Sequence, residues 1–353
     1  MNRRIHKNWL ALIVFLVVPL SGLGIDIVSP SLPAIAHYFS ASKALSQLNI
    51  TTYMIGFALA LLISGSIADS VGRKKPFIIF IVLYILASLC IVLSDNIHEL
   101  LILRCVQGAS VGLFMIPIRS VISDLFEGKE FYKMINYVAM FWAIGPIIAP
   151  TIGGYLQHYF EWQAVFYFLA GYATLILLLN ILFMPETLAV KQPFNTRQIF
   201  SSYFYMLSHK RYVVGIICLG CNYSTVILFA VMAPFLIQNV LHYSVVAFGR
   251  MALLMGVALF LGNITNRILI NVDATLKIGI CFWLMLLDVI VMLVLGMTIG
   301  MNIYSITSND TFGRAMRGLK GRLNRVIVPI IQITLIKANW PAPCLICIAS
   351  GVP

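Results

Sequence analysis

The sequence has little charge for its length. Only 10% of its 353 residues are Asp, Glu, Lys or Arg, whereas 61% are apolar. Soluble domains carry roughly 25% charged and 45–50% apolar residues. A water-soluble fold of this size would need more polar surface than these side chains supply, so the composition predicts an integral membrane protein.

Acidic residues are the scarcer charged type, at 12 against 24 Lys and Arg. In a soluble chain this excess of cations would suggest a nucleic-acid partner. The cations lie between apolar runs, so membrane topology explains them better, and no nucleic-acid partner is expected.

Motifs of nucleotide and metal chemistry are missing. The sequence has no Gly-x-x-x-x-Gly-Lys-Ser/Thr loop and no His-Glu-x-x-His. Cys218/Cys221 and Cys344/Cys347 have the spacing of metal ligands, but neither pair has a second pair or a histidine nearby. We therefore expect no ATP hydrolysis, no metal site and no cofactor.

Nine apolar runs are long enough to cross a membrane, since a bilayer core of about 30 Å needs about 20 helical residues. They are called spans 1 to 9 and fall at about 9–29, 46–68, 76–94, 99–121, 134–157, 162–184, 212–238, 247–270 and 276–304. The cationic start before span 1 imitates a signal peptide. Span 1 is too long for one, lacks a small-residue cleavage site and leads into further spans, so we interpret it as a retained helix.

The arrangement of the runs predicts an all-α polytopic membrane protein in four parts. These are a six-helix bundle at 1–184, a linker at 185–211, a partial second bundle at 212–304 and a basic tail at 305–353. Two sets of spans around a linker are typical of transporters built from two halves. A weak echo between the halves supports this: Gly65-Ser66-Ile67-Ala68-Asp69 after span 2 and Gly262-Asn263-Ile264-Thr265-Asn266 after span 8.

Lysine and arginine occur in every second loop of the first half, which indicates its orientation. The loops between carry few cations, with Lys43 as an example. Cations gather on the cytoplasmic side of membrane proteins, so we expect the N-terminus and the linker to be cytoplasmic. The residues concerned are Arg3, Arg4, Lys7, Arg73, Lys74, Lys75, Lys129, Lys133, Lys191, Arg197, Lys210 and Arg211.

The loop between spans 2 and 3 is the most distinctive segment, and reads Gly65-Ser66-Ile67-Ala68-Asp69-Ser70-Val71-Gly72-Arg73-Lys74-Lys75. Gly65 permits close approach of helices, and Gly72 permits a tight turn. Asp69, at a helix end beside cations, can form a breakable charge cluster at the cytoplasmic mouth. The loop resembles the Gly-x-Leu-Ala-Asp-Arg-x-Gly-Arg-Arg/Lys pattern of the major facilitator superfamily and departs from it only at Ile67 and Ser70.

Span 4 carries a second match to this family. Arg104-Cys105-Val106-Gln107-Gly108 resembles its Arg-x-x-Gln-Gly pattern. An arginine in hydrocarbon is costly, so Arg104 should face a partner or a water-filled cavity. Alternatively it extends to the periplasmic surface, because it lies only about five residues into the span. At the other end of span 4, the layout of the family implies Arg119 as a partner of Asp69 in a cytoplasmic gate.

Span 5 contains the segment Ile144-Gly145-Pro146-Ile147-Ile148-Ala149-Pro150-Thr151-Ile152-Gly153-Gly154. It resembles the Gly-Pro-rich motif of proton-driven exporters in the same family. The prolines remove backbone donors and the glycines thin the helix, which predicts a bendable, closely packed element. A kinked packing helix without a role in coupling remains the alternative.

Span 1 narrows the resemblance. Asp26-Ile27-Val28-Ser29-Pro30-Ser31-Leu32-Pro33 resembles the Asp-Met-Tyr-Leu-Pro-Ala-Leu-Pro stretch of Bcr/CflA-type drug exporters, with Val28 in place of the tyrosine. Pro185-Glu186-Thr187-Leu188 after span 6 also matches a sequence common in these exporters.

Two charged residues in the spans are candidates for coupling protons to substrate. A carboxyl group within a span can take part in proton transfer, which makes Asp26 the first candidate. Arg104 is the second, because it is a charged side chain within a span that must face a partner or a water-filled cavity. In an antiporter, a proton would compete with a cationic drug for Asp26. The alternative is that Asp26 ends its helix in periplasmic water. Asp288 in span 9 is a further intramembrane acid that no family motif covers.

The last fifty residues depart from the family pattern. A major facilitator would continue with three more helices after span 9, whereas residues 309–325 carry Arg314, Arg317, Lys320, Arg322 and Arg325. The simplest hypothesis is a C-terminus read from a shifted frame, which would truncate the second half. An alternating-access exporter needs both halves around its midplane site, so a non-transporting remnant stays open as an alternative.

The resemblance implies multidrug efflux by drug:H⁺ antiport in the bacterial cytoplasmic membrane. The substrates would be small amphipathic or cationic compounds, the proton gradient would supply the energy, and the chain would not be an enzyme. One alternative is a proton symporter for a small metabolite, against which the span 5 motif argues. The other is a truncated remnant or partner-binding membrane protein, for which the tail argues.

Overall fold

The computed structural model describes residues 3–194, 196–240, 242–254, 256 and 283. Within these residues every regular element is helical, and six helices are long and apolar enough to cross a membrane. The contacts described below lie in the first of two compact units, Met1–Leu253. The predicted all-α fold with six spans in the first half is confirmed.

Span 1 is longer than predicted and consists of several helical segments. Pro19 and Pro30 lack the amide hydrogen that an unbroken helix needs, and they lie where the segments meet. The span continues to Tyr38 rather than ending near residue 29, so Asp26 lies inside it. The segments are α1 (Arg3–Val17), α2 (Leu20–Asp26), a 3₁₀ turn (Ser29–Ser31) and α3 (Leu32–Tyr38).

Five long helices form the other spans of the first half. They are α4 (Lys43–Val71), α5 (Lys74–Val92), α6 (Ile97–Leu125), α7 (Gly128–Phe160) and α8 (Gln163–Phe183). α4, α6 and α7 extend beyond the predicted apolar runs because their first and last turns are polar. Ser42 starts α4 by accepting the backbone N–H of Leu45, and Asn96 starts α6 by accepting that of Glu99.

α4 and α6 pack closely through glycines. A Cβ atom added at Gly56 would overlap the backbone of Cys105, and one added at Gly108 would overlap the backbone of Tyr53. Small residues let two helix backbones approach in this way within a membrane. Gly65 does not share this role, since an added Cβ atom there would meet only Ile116 Cγ2 at 4.0 Å. The expectation that Gly65 permits close approach is therefore wrong.

The linker contains a helix of its own, and the second half begins after it. The elements are α9 (Thr196–Ser208), α10 (Lys210–Phe235), a π-helical turn (Leu236–Val240) and α11 (Val245–Leu254). α10 covers most of span 7, and α11 covers the start of span 8. The remainder of span 8, span 9 apart from Trp283, the 262–266 segment, Asp288 and the tail at 305–353 lie outside the described residues.

Candidate functional site

Arg104 is completely buried inside the bundle, with 0% of its surface exposed. Its Nη2 donates to the carbonyl oxygen of Gly24 over 2.8 Å, and its Nε donates to that of Asn49 over 3.3 Å. Its Nη1 donates to Gln107 Oε1 over 2.5 Å. The side chain thus links α6 to spans 1 and 2, and the alternative in which it reaches the periplasmic surface is wrong.

Further polar and aromatic groups complete the surroundings of the guanidinium. Gln107 Nε2 donates to Ser88 Oγ over 2.6 Å, which brings α5 into the same network. The Arg104 guanidinium carbon lies 4.4 Å from the ring centroid of Tyr53 and 5.8 Å from that of Phe166. No acid of the described residues forms a salt bridge with Arg104. Carbonyl dipoles and ring faces therefore compensate its charge.

Asp26 is the last residue of α2 and is partly accessible. Its carboxylate accepts no hydrogen bond from any residue that the structure describes. It interacts electrostatically with the hydroxyl groups of Tyr53 on α4 and Tyr223 on α10. Asp26 follows Gly24, which accepts a hydrogen bond from Arg104, by two residues, so one short stretch of span 1 carries the intramembrane acid and contacts both α4 and α6.

α7 packs tightly against span 1 through glycines of its motif. A Cβ atom added at Gly145 would lie 3.4 Å from backbone atoms of span 1, and one added at Gly153 would overlap the carbonyl oxygen of Ile27. The helix runs without interruption through Pro146 and Pro150. The close packing predicted for this motif is present.

The same motif contacts α11 on another side. Thr151 Oγ1 donates to the carbonyl oxygen of Gly249 over 2.9 Å. A Cβ atom added at Gly154 would lie 3.0 Å from the carbonyl oxygen of Val245. Because α11 belongs to the second half of the chain, the motif lies where the two halves meet.

Further hydrogen bonds join the first half to the end of α10 and the turn after it. They run from Ser29 Oγ to Ala230 O (2.5 Å), from Gln47 Nε2 to Val231 O (3.3 Å) and from Gln238 Nε2 to Pro30 O (2.9 Å). Gln47 lies near the start of α4, whereas the basic loop of Arg73 follows its end. The described residues of the second half thus contact the first half at the end of the bundle opposite to the basic loops.

Arg73 bridges two acids at the basic end. Its Nη1 lies 2.7 Å from Asp69 Oδ1, and its Nε lies 3.1 Å from Asp124 Oδ2. Burial acts to lower the pKa of Arg73, but the two carboxylates outweigh this effect and raise it. The loop between α4 and α5 is thereby joined to the end of α6.

The expected pairing of Asp69 with Arg119 is not formed. Asp69 forms a salt bridge instead with Arg73, which is four residues further along the chain and therefore close to it. Arg119 is half-buried on α6, and its Nε has no hydrogen-bond partner among the described residues. The layout of the family thus pointed to the wrong cation.

Glu186 of the linker holds the same loop. Its carboxylate accepts the backbone N–H groups of Arg73 (2.8 Å), Lys74 (3.2 Å), Thr187 (3.1 Å) and Leu188 (3.1 Å). The first two lie at the start of α5, where free N–H groups favour an anion. Partial burial acts to raise the pKa of Glu186, but the four N–H groups outweigh it and lower the pKa.

Gly72 makes the turn that lets Glu186 approach. Its φ is +117°, which favours glycine, and an added Cβ atom would overlap the Glu186 carboxylate. Two further bonds fasten the linker nearby. Thr187 Oγ1 donates to Asp124 Oδ2 over 2.8 Å, and the Gln192 N–H donates to the carbonyl oxygen of Asp69 over 2.9 Å.

Sequence reasoning missed the roles of Tyr53, Tyr223 and Glu186. The two tyrosines lie in apolar runs that resemble ordinary spans, so no local signal marked them. Glu186 was visible as part of a family match, and an acid just after span 6 was a signal for a contact with the basic loops.

One enzyme-like pattern lies within α6. Gly108-Ala109-Ser110-Val111-Gly112 has the spacing Gly-x-Ser-x-Gly, which places a nucleophile on a strand-to-helix turn in hydrolases. In this chain the segment is in the middle of a helix, and Ser110 Oγ donates to the carbonyl oxygen of Val106 over 2.8 Å. The turn that would present the serine is missing from this segment.

The chain is similar in sequence to known transporters. It is 35% identical over 185 residues to "Uncharacterized MFS-type transporter YdgK" of Bacillus subtilis, which covers 52% of this chain and 46% of that protein. It is 26% identical over 248 residues to "Multidrug resistance protein MdtL" of Shewanella oneidensis, at 70% and 62% coverage. The chain therefore spans less than two thirds of the length of either relative.

Two solved transporters share the fold. The xylose transporter XylE from E. coli, in a partially occluded inward open conformation, matches with a TM-score of 0.68 and 14% identity over 99% of this chain and 85% of that one. A bacterial homolog to the human lysosomal transporter Spinster, inward-facing and unoccupied, matches with a TM-score of 0.62 and 16% identity, at 95% and 74% coverage.

A profile of the Major Facilitator Superfamily matches residues 14–327, which is most of the sequence. The match includes the buried Arg104 network, the Arg73 cluster and the glycine-lined contacts of α7. The chain belongs to the Major Facilitator Superfamily.

Proposed function

We propose that this chain is a proton-driven exporter of small amphipathic compounds, including cationic ones, in the bacterial cytoplasmic membrane. The observation that carries the proposal is the carboxylate of Asp26, which is partly accessible and lacks a hydrogen-bond partner among the described residues. An intramembrane acid in this state can hold either a proton or a cation. Proton uptake at Asp26 would then release a cationic compound.

Arg104 is the second residue of the proposed coupling site. It is bonded to Gly24 on the same short helix as Asp26, so a movement of that helix on protonation of Asp26 would be passed to the guanidinium. The guanidinium also holds Asn49 and Gln107. Protonation of Asp26 would in this way affect the positions of α4 and α6 as well as that of span 1.

The two ends of the bundle supply the proposed gates. At the end opposite to the basic loops, Gly145 and Gly153 let α7 contact span 1, and Gly154 contacts α11. We propose that these glycine contacts close and open during the cycle. At the basic end, the bridge from Asp69 through Arg73 to Asp124 is the gate, with Gly72 shaping the turn and Lys74 Nζ bonded to the carbonyl oxygen of Ile181 over 3.1 Å.

Orientation follows from charge. The N-terminus, the Arg73 loop and the linker carry the cations, so we place all three in the cytoplasm. Lys7 Nζ donates to the carbonyl oxygen of Leu125 over 2.7 Å, which supports a common side for the N-terminus and the end of α6. The name of MdtL as a multidrug resistance protein supports export of drug-like compounds.

The test is dye accumulation in cells that lack their own pumps. We expect the chain to lower the accumulation of a fluorescent cationic dye, and a protonophore to abolish this effect. Asp26→Asn should abolish it too, whereas Asp95→Asn, at an exposed acid in the loop before α6, should leave it intact.

Two other results would overturn the proposal. Metabolite uptake without dye loss would favour a proton symporter. Neither activity, with the chain present in the membrane, would favour a non-transporting protein.

A further inference from the structure

The linker helix α9 has an apolar stripe that no other described residue covers. Phe200, Phe204 and Leu207 are 74%, 77% and 61% exposed. Their spacing of four and three residues places them on one face of the helix. Tyr203 and Met206 are half-buried, whereas Ser201 lies on the polar side and is exposed. The helix is thus amphipathic, but its most apolar face is exposed rather than packed against the described part of the protein.

A hydrogen bond to α4 fixes the position of α9 along the length of that helix. Tyr203 Oη donates to the carbonyl oxygen of Leu62 over 2.8 Å. α4 has 29 residues, so at 1.5 Å per residue it is about 43 Å long and, if centred, extends past an approximately 30 Å hydrocarbon core by about 7 Å at each end. Leu62 lies about 14 Å before the end at Val71, which is inside the core. Leu62 is thus about 7 Å inside the core, which the side chain of Tyr203 can reach from a helix backbone at the level of the headgroups.

The charge of the linker suits an anionic surface. No acid occurs in the sequence from Thr187 to Val272. After Glu186, which is bonded to the basic loop, the charged residues of the linker are Lys191, Arg197, Lys210 and Arg211. Cations close to a span are attracted to the anionic lipids of the cytoplasmic leaflet, and an amphipathic helix lies in such an interface with its apolar face inward.

We propose that α9 docks on the cytoplasmic leaflet, with Phe200, Phe204 and Leu207 among the acyl chains and the flanking cations at anionic headgroups. This rests on the proposed cytoplasmic placement of the linker, but it needs no transport activity. The binding of the linker to the membrane would then depend on how much anionic lipid the leaflet contains.

The experiment measures immersion depth in the full chain. A spin label is attached at Phe204→Cys, or at Ser201→Cys as the matched control, after the native cysteines are replaced. The protein is reconstituted into phosphatidylcholine vesicles with or without phosphatidylglycerol. We expect the label at 204 to be severalfold more accessible to oxygen than to a water-soluble nickel complex, and the label at 201 to show the reverse.

The anionic lipid is tested in the same samples. Phosphatidylglycerol should deepen the label at 204, and Lys191→Gln with Lys210→Gln should remove that effect. Equal nickel access at 204 and 201 would overturn the proposal, because α9 would then lie in water. Shielding of 204 from both reagents would also overturn it, since another part of the chain or a second copy would cover the stripe. Neither result depends on whether a dye is exported.

Discussion

Arg104 Nη2 donates a hydrogen bond to the carbonyl oxygen of Gly24, just before Asp26 in span 1. This bond joins the only fully buried cation among the described residues to the short helix that carries the intramembrane acid. Arg104 also bonds to groups of α4 and α6, so one side chain sets the relative position of three spans.

Arg104→Ala should be strongly destabilising. It leaves buried acceptors at Gly24, Asn49 and Gln107 unpaired, and each unpaired buried group costs about 1–3 kcal/mol. Arg104→Lys keeps the charge but cannot form the same set of hydrogen bonds, so its melting temperature should lie between those of the native chain and Arg104→Ala. Thermal unfolding in detergent checks this, with the exposed Lys133→Ala as control. An unchanged melting temperature for Arg104→Ala would show that the network contributes nothing to stability.

Gly153→Ala should separate α7 from span 1. The new methyl group would overlap the carbonyl oxygen of Ile27, and overpacking of this kind costs about 1–3 kcal/mol. Gly171→Ala on α8 is the matched control, because nothing lies within 4 Å of a Cβ atom there. We expect a lower melting temperature and lower dye export for the first variant only. Equal behaviour of the two would mean that α7 does not need this close contact.

Gly72→Ala should release the linker from the basic loop. Alanine is strained at a φ of +117°, and its methyl group would overlap the Glu186 carboxylate. In the double variant with Glu186→Ala the overlap disappears while the backbone strain remains. Limited proteolysis of the linker measures the release. If Glu186→Ala increases cleavage by the same factor in the Gly72→Ala background as in the native chain, the two residues act independently and the prediction is wrong.

Glu186 should make stability depend on pH at the acidic end of the range. Its pKa in the folded chain is lower than its ordinary value of 4.5, so its contribution is complete above that value. The contribution is lost as the pH falls through the lowered pKa. The difference in melting temperature between the native chain and Glu186→Gln should therefore be constant near neutral pH and shrink below about pH 4. A difference that grows on acidification would contradict this sign.

The positions of the spans could be predicted from the sequence, but most contacts of the charged side chains could not. Apolar length locates a helix, so spans 2 to 6 could be read directly, whereas the prolines of span 1 hid its continuation to Tyr38. Arg104 was recognised as costly, but its acceptors are backbone carbonyls of Gly24 and Asn49, which have no signature in sequence. The charge cluster of Asp69 with its neighbouring cations was predicted and includes Arg73, whereas the pairing with Arg119 was implied by family layout, which cannot show which side chains meet.

The bonds made by Glu186, Thr187 and Gln192 also decide where the first half ends as a folded piece. These residues follow span 6, yet they are fastened to the loop and helices of the first half. If the chain were divided into two co-expressed polypeptides, a cut directly after Met184 would strip the start of α5 of its carboxylate. A cut after Gln192 would leave the hydrogen bonds of Glu186, Thr187 and Gln192 within the first fragment. The two fragments could then associate without losing these bonds.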